Sequence, residues 1–154
     1  MASLFSKFFN PEKGSSARLE GDQESKIQIA TCAVLIEIAR ADDEFTQDEK
    51  NLIIDTLKQE FHLSADDAGE IITLATTRMN ESIDIWHFTN ILNESLSPED
   101  KIKIIEIIWK IIYSDGFLGG HEDALVHKLS FLLELTHDQL IAAKLRILDQ
   151  MRTS

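Results

Sequence analysis

The sequence predicts an all-α fold: a single-domain bundle of about seven helices, with internal duplication of a helix–turn–helix pair. The chain of 154 residues is long enough for one domain with a substantial core, and 44% hydrophobic residues are ordinary for a globular protein. Only 6 Gly and 2 Pro are present, which is few for the many tight turns of an all-β fold. Apolar residues recur at helical spacing, and several of these segments begin with a helix-capping residue.

The first 25 residues differ from the rest. Residues 1–10 place apolar side chains at helical spacing on one face, namely Leu4, Phe5, Phe8 and Phe9. This pattern favours an amphipathic segment that docks on a membrane surface or a partner, and the alternatives are packing on the domain's own core or disorder. Residues 11–25 are rich in Gly, Ser and charge and predict a flexible linker. We therefore divide the chain into two parts. Residues 1–25 form the amphipathic segment and the flexible linker, and residues 26–154 form a helical domain.

The first four helices follow in order. The first, from about Ser25 to Ala41, is apolar on nearly every side and is expected to be buried on most sides. The second opens at Thr46, where Thr and a Glu three residues later form a capping box, and it ends near His62. The third starts at Ser64, and the fourth follows Ser82.

Three further helices complete the bundle. Ser97 and the Pro and acids after it predict the start of the fifth helix, which runs to Tyr113 and is expected to be the most buried element. The sixth covers about 120–133. The seventh opens with a capping box at Thr136 and ends near Met151.

A shift of the chain by 73 residues aligns the first helix with the fifth and the second with the sixth. The shift superposes Asp42 on Asp115 and Glu49 on Glu122. We interpret this as an internal duplication.

The duplicated turns predict a cation site. Asp42 and Asp115 follow helix C-terminal ends, where the helix dipole is negative and a carboxylate is unfavourable. Carboxylates and free helix carbonyls are ligands that suit Ca²⁺, Mg²⁺ or another divalent cation. The candidate metal ligands are Asp42, Asp43, Glu49, Asp115 and Glu122. If the two halves of the duplicated domain are related by a pseudo-twofold axis, these acids lie together on one rim of the bundle. Otherwise they form two separate sites.

A simpler explanation of these acids stays open. Glu49 is accounted for by its capping box, Asp115 and the Gly after it form an ordinary helix end, and acidic loops are usually just solvated. Neither turn has the ligand spacing of an EF-hand, and the five histidines form no zinc motif.

The composition and the absence of known sequence motifs limit the classes of function that we expect. No nucleotide-binding loop or nucleophile motif occurs, so we expect neither catalysis nor an organic cofactor. A formal charge of -12 repels nucleic acid and suits cations or basic partner surfaces. Cys32 lies in an apolar run, which is typical of a small core residue. No signal peptide or membrane-spanning run is present, so we expect a cytoplasmic protein.

The two turns carry a resemblance to a known family. The stretches 38–49 and 112–122 resemble the TerB-like family of tellurite-resistance proteins, over about residues 26–150. The family motif of an Ala, an Asp, a Gly and a downstream Glu is matched at Ala41, Asp42 and Glu49, and again at Asp115, Gly116 and Glu122. Asp43 stands where Gly is commoner, and Ser114 replaces Ala.

The resemblance implies an all-helical, internally duplicated cytoplasmic protein. It implies divalent-cation binding through these acids and work in tellurite or stress-response complexes near the inner membrane. The expected partners are proteins that are basic or membrane-associated. The alternative function is a metal-independent protein-interaction module that uses its acidic surface and is recruited to the inner face of the membrane.

Overall fold

A computed structural model describes residues 23–40, 47–81, 83–113 and 120–153. These residues form seven α-helices and contain no β-strand, which confirms the predicted all-α class. The helices are α1 (Gln23–Ala39), α2 (Gln47–Phe61), α3 (Ala65–Asn80), α4 (Ile85–Ser95), α5 (Pro98–Tyr113), α6 (Gly120–Leu132) and α7 (His137–Thr153).

The helix α1 is the most deeply buried of the seven described helices. Every side chain from Ile27 to Ile36 is at most 4% exposed. This helix packs against α2, α3, α4, α5 and α6. Small side chains such as Ala30 and Ala33 let neighbouring helices approach closely, and a helix that is apolar all round must be enclosed. The predicted burial of this helix on most sides is confirmed.

The expectation that the fifth helix would be the most buried element is wrong. α5 is buried along much of its length, but Lys103 and Lys110 are exposed. These lysines give α5 a face towards solvent, whereas α1 is surrounded. An ammonium group is rarely left buried without a partner, so a stripe of lysines sets the outward face of the helix.

The aromatic residue Trp109 joins α5 to α7. Its indole is fully buried, and Nε1 donates a hydrogen bond to the carbonyl oxygen of Leu140 at 3.2 Å. Tyr113 stacks on the same indole with ring centroids 5.9 Å apart, and the Lys144 ammonium lies 5.4 Å from the indole centroid. A buried tryptophan needs a partner for its N–H group, and the first turn of α7 supplies it.

The capping box predicted at the start of α7 is confirmed. The Thr136 hydroxyl accepts from the Gln139 amide at 3.1 Å, and the Gln139 side chain accepts from the Thr136 amide at 2.8 Å. Two backbone donors that the helix leaves without partners are satisfied in this way. The box predicted at Thr46 lies outside the described residues.

In the described part of the chain, three other helices begin with a side-chain cap. Ser64 and Ser97 each accept a hydrogen bond from the amide three residues later, at 3.1 and 3.2 Å. α4 is capped by Asp84, whose Oδ1 accepts from the amide two residues later at 3.3 Å. These caps fix where α3, α4 and α5 begin.

Among the residues that the structure describes, two non-glycine residues adopt the left-handed backbone conformation. His62 follows α2 with a φ of 57°, and Glu134 follows α6 with a φ of 63°. A left-handed residue just past a helix is a common way to end it. The predicted end of the second helix near His62 is therefore confirmed.

None of the described helices combines the length and apolar character that crossing a bilayer requires.

Replacing Thr136 with Ala tests the cap of α7. Because the amide of Gln139 loses its acceptor, we expect the free energy of unfolding to fall by about 1 kcal/mol. Urea denaturation followed by circular dichroism measures the change.

The matched control is Thr73→Ala. This exposed threonine lies inside α3, and its hydroxyl donates only to the Gly69 carbonyl one turn earlier. Alanine is the better helix former, so the control should be neutral or slightly stabilising. Equal losses in both variants would show that the capping box contributes nothing.

Candidate functional site

The predicted metal ligands cluster around two breaks between described helices. Asp42 and Asp43 fall between α1 and α2, and Asp115 falls between α5 and α6, so all three lie outside the described residues. Glu122 is in the first turn of α6, but its side chain is outside the described part as well. Glu49 is partly exposed in the first turn of α2.

The predicted docking side chains, Leu4, Phe5, Phe8 and Phe9, also lie outside the described residues. The cation site and the amphipathic segment both stay predictions.

The packing of α1 on α4 places the end of α1 within the bundle. At the start of α1, the side-chain Nε2 of Gln23 donates to the hydroxyl of Ser95, at the end of α4, at 2.8 Å. At the other end of α1, Arg40 lines a cavity together with Ile85, the first residue of α4. The two helices therefore run antiparallel, and the chain leaves α1 beside the start of α4.

The helices α5 and α6 are also antiparallel. Lys101, near the start of α5, lies 3.8 Å from the carboxylate of Glu134, just beyond the end of α6. The end of α5 is therefore on the same side as the start of α6.

Leu125 and Lys128, from the middle of α6, line the same cavity as Arg40. Near the end of α4, the side-chain amide of Asn93 donates to the carbonyl oxygen of Leu132 at the end of α6 at 2.8 Å, so the start of α6 is on the side of the start of α4. The ends of α1 and α5 and the start of α6 thus lie at one end of the bundle, which we call the loop end.

The cavity at the loop end has a volume of about 400 Å³, and we call it the end cavity. Apolar and charged side chains of α1, α3, α4, α6 and the α3–α4 connection line it together. The residues are Glu37, Arg40, Met79, Asn80, Ile83, Asp84, Ile85, Phe88, Leu125 and Lys128. Sequence analysis did not identify this cavity, because its residues come from separate segments and form no motif.

Two buried charged side chains of α5 have structural partners. Glu106 accepts from Arg146 Nε of α7 at 2.6 Å, and its other oxygen lies 3.5 Å from the Lys103 ammonium. Lys101 donates to the side-chain oxygen of Asn93 at 3.1 Å. These contacts tie α5 to α7 and to α4, and they satisfy charges that burial would otherwise penalise.

One pair of histidines in the described residues joins α6 to α7. The rings of His127 and His137 are 5.8 Å apart, and His127 Nε2 is 3.5 Å from the carboxylate of Asp123. Within the described ranges, however, no group of three or more His, Cys, Asp or Glu side chains is placed to hold a metal ion. The pair is therefore a local contact between α6 and α7.

The thiol of Cys32 is completely buried in α1, as its apolar neighbours predicted. Desolvation by burial raises the pKa of this thiol far above its usual range. The thiolate is the reactive form of cysteine, and here it is suppressed at neutral pH.

The burial of Cys32 predicts a simple pattern of labelling. At about pH 8 a maleimide should leave Cys32 unmodified in the folded protein and modify it fully in guanidinium chloride. Mass spectrometry of quenched samples measures the modified fraction. A cysteine introduced at the exposed position Thr73 is the control and should react in the folded state. Similar rates at both positions would contradict a fully buried thiol.

Comparison with known proteins supplies one match. The family model described as tellurite resistance protein TerB matches residues 28–145. Comparisons with curated proteins and with solved structures gave no significant match. The matched range extends from α1 into α7 and spans both acidic turns.

Proposed function

Because the chain belongs to the TerB tellurite-resistance family, we propose that it binds a divalent cation at the loop end and acts in a tellurite or stress-response complex. In this proposal the chain is an accessory or sensor protein and catalyses no reaction. The ligands are the predicted acids Asp42, Asp43, Glu49, Asp115 and Glu122.

The observation that carries the proposal is the shared position of the helix ends that flank the two acidic turns. The end of α1 lines one cavity with the middle of α6, whose start is on the same side of the bundle, and the end of α5 is on the same side as the start of α6. Acids that are 73 residues apart in the sequence are thereby attached to one end of the bundle. This arrangement supports a shared cation site, since both sets of carboxylates start from neighbouring helix ends.

The electrostatics of the helix ends distinguish the acids. Glu49 is in the first turn of α2, at the positive end of that helix dipole, so it needs no cation to be stable there. Asp42 and Asp115 follow the negative ends of α1 and α5, where a carboxylate is unfavourable. A bound cation such as Ca²⁺ would remove that repulsion, and it would accept carboxylate and carbonyl oxygens as ligands.

Calcium titration of the protein and of the double variant Asp42→Asn, Asp115→Asn tests the proposal. For the native protein we expect binding heat and a higher melting temperature, because a ligand of the folded state stabilises it. At a free concentration of about 100 times Kd the gain is about 2.7 kcal/mol. The double variant should lose both effects, since it lacks the two carboxylates that most need a cation.

The control variant removes the same charge at the other end of the bundle. Asp66 and Glu99 are exposed acids in the first turns of α3 and α5, so Asp66→Asn with Glu99→Gln should keep calcium binding. Millimolar Ca²⁺ that produces neither heat nor a thermal shift in the native protein would rule out calcium as the ligand. Repetition with Mg²⁺ and Zn²⁺ extends the result to divalent cations in general.

A second candidate function is supported by the net charge of -12. An acidic surface of this kind attracts a basic protein without any metal, including one located at a membrane. Binding of a lysine-rich peptide distinguishes the two functions. If the affinity for the peptide falls with added salt but does not change when a chelator is added, the interaction module is favoured. If the chelator abolishes peptide binding, a cation-dependent surface is favoured.

A further inference from the structure

The end cavity leaves apolar side chains accessible. Phe88 and Ile85 are 1% and 7% exposed, but Met79, Ile83 and Leu125 are only partly buried although they line the same space. A cavity of about 400 Å³ is in the size range of ordinary ligand sites. Covering such surface with another apolar group is favourable because water is released from both.

The rim of the end cavity is mixed in charge. Arg40 and Lys128 contribute two cations, and Glu37 and Asp84 contribute two anions. A highly charged ligand of either sign would meet like charge at this rim. An aromatic segment with few charges fits better, because cations are attracted to aromatic ring faces and an occasional lysine can face the acids.

The chain carries such a segment before α1. Residues 1–10 contain Phe5, Phe8 and Phe9, and Lys7 is their single charged side chain. The segment precedes the start of α1, and the end cavity is beside the other end of that helix. A helix of 17 residues is about 25 Å long, which is the distance that the intervening chain must span.

The length of the intervening chain matches this distance. If residues 10–22 behave as the flexible linker that their composition predicts, their root-mean-square end-to-end distance is about 20 Å. The effective concentration of a tethered group is greatest when this distance is close to the span, and it reaches the millimolar range. A weak apolar contact is then sufficient for docking within one molecule.

We propose that the end cavity is the docking site for residues 1–10 of the same chain, with Phe8 and Phe9 as the inserted side chains. Docking places the segment beside the two acidic turns and hides the aromatic face that would otherwise meet a membrane or another protein. The segment is thus exchanged between the end cavity of its own chain and a membrane surface or another protein. This inference does not depend on cation binding, and a cation-free protein should dock the segment as well.

A spin label on the segment tests the proposal in the full chain. The variant Ser3→Cys carries the label on the side of the predicted helix away from the phenylalanines, and the buried Cys32 stays unlabelled. In NMR spectra of the oxidised, paramagnetic sample, the methyl signals of Met79, Ile83 and Leu125 should be lost. The same signals should be present after the spin label is reduced. Leu96, near the far end of α1, should keep its signal, because docking holds the label at the loop end.

Two variants serve as controls. Phe8→Ser with Phe9→Ser should restore the lost signals, because the inserted side chains are gone. Phe131→Ser should not restore them, although it also removes an exposed aromatic (79% exposed) at the end of α6.

Three results would overturn the proposal. The first is loss of signal at Leu96 with the cavity methyls unaffected. The second is an equal loss of signal in a mixture in which the spin label and the isotope label are on different molecules, which assigns the cavity to a second copy. The third is a label that stays mobile until phosphatidylglycerol vesicles are added, which assigns the segment to a lipid surface.

Discussion

The all-round burial of α1 is the constraint on which the rest of the fold depends. A helix with no polar face has to be surrounded, and five other described helices pack against it. Small side chains such as Ala30 and Ala33 let those helices come close. Because α4 runs antiparallel to α1 and α6 meets the end of α1, the same packing decides which connections share an end of the bundle.

The helices could be predicted from local signals. Ser97 with the Pro and acids after it, and Thr136 with Gln139, mark helix starts that hydrogen bonds in the structure confirm. The relative burial of α1 and α5 could not be predicted in the same way. Both contain long apolar runs, and the sequence does not say how many helices surround each of them, although Lys103 and Lys110 mark the solvent face of α5. The cap of α4 by Asp84 was missed because Ser82 is an equally plausible capping residue.

The functional surface was predicted less completely. The repeated acids were visible in the sequence because they have a fixed spacing from a helix end, and their role as cation ligands stays a prediction. The end cavity had no such signal. Its walls come from residues as distant in sequence as Glu37 and Lys128, and each of them alone is typical of an ordinary helix surface. Only the antiparallel packing of the helices brings them together.

The shallow attachment of α2 has a consequence for how the molecule opens. Along its whole length α2 buries only Ile53, Leu57 and Phe61, whereas α1 is enclosed. Elements with few buried contacts open at a lower free energy than the global unfolding reaction. The backbone amides of α2 should therefore exchange with solvent sooner than those of α1. Since α2 forms one side of the first acidic turn, that turn is joined on one side to a rigid helix and on the other to one that can detach.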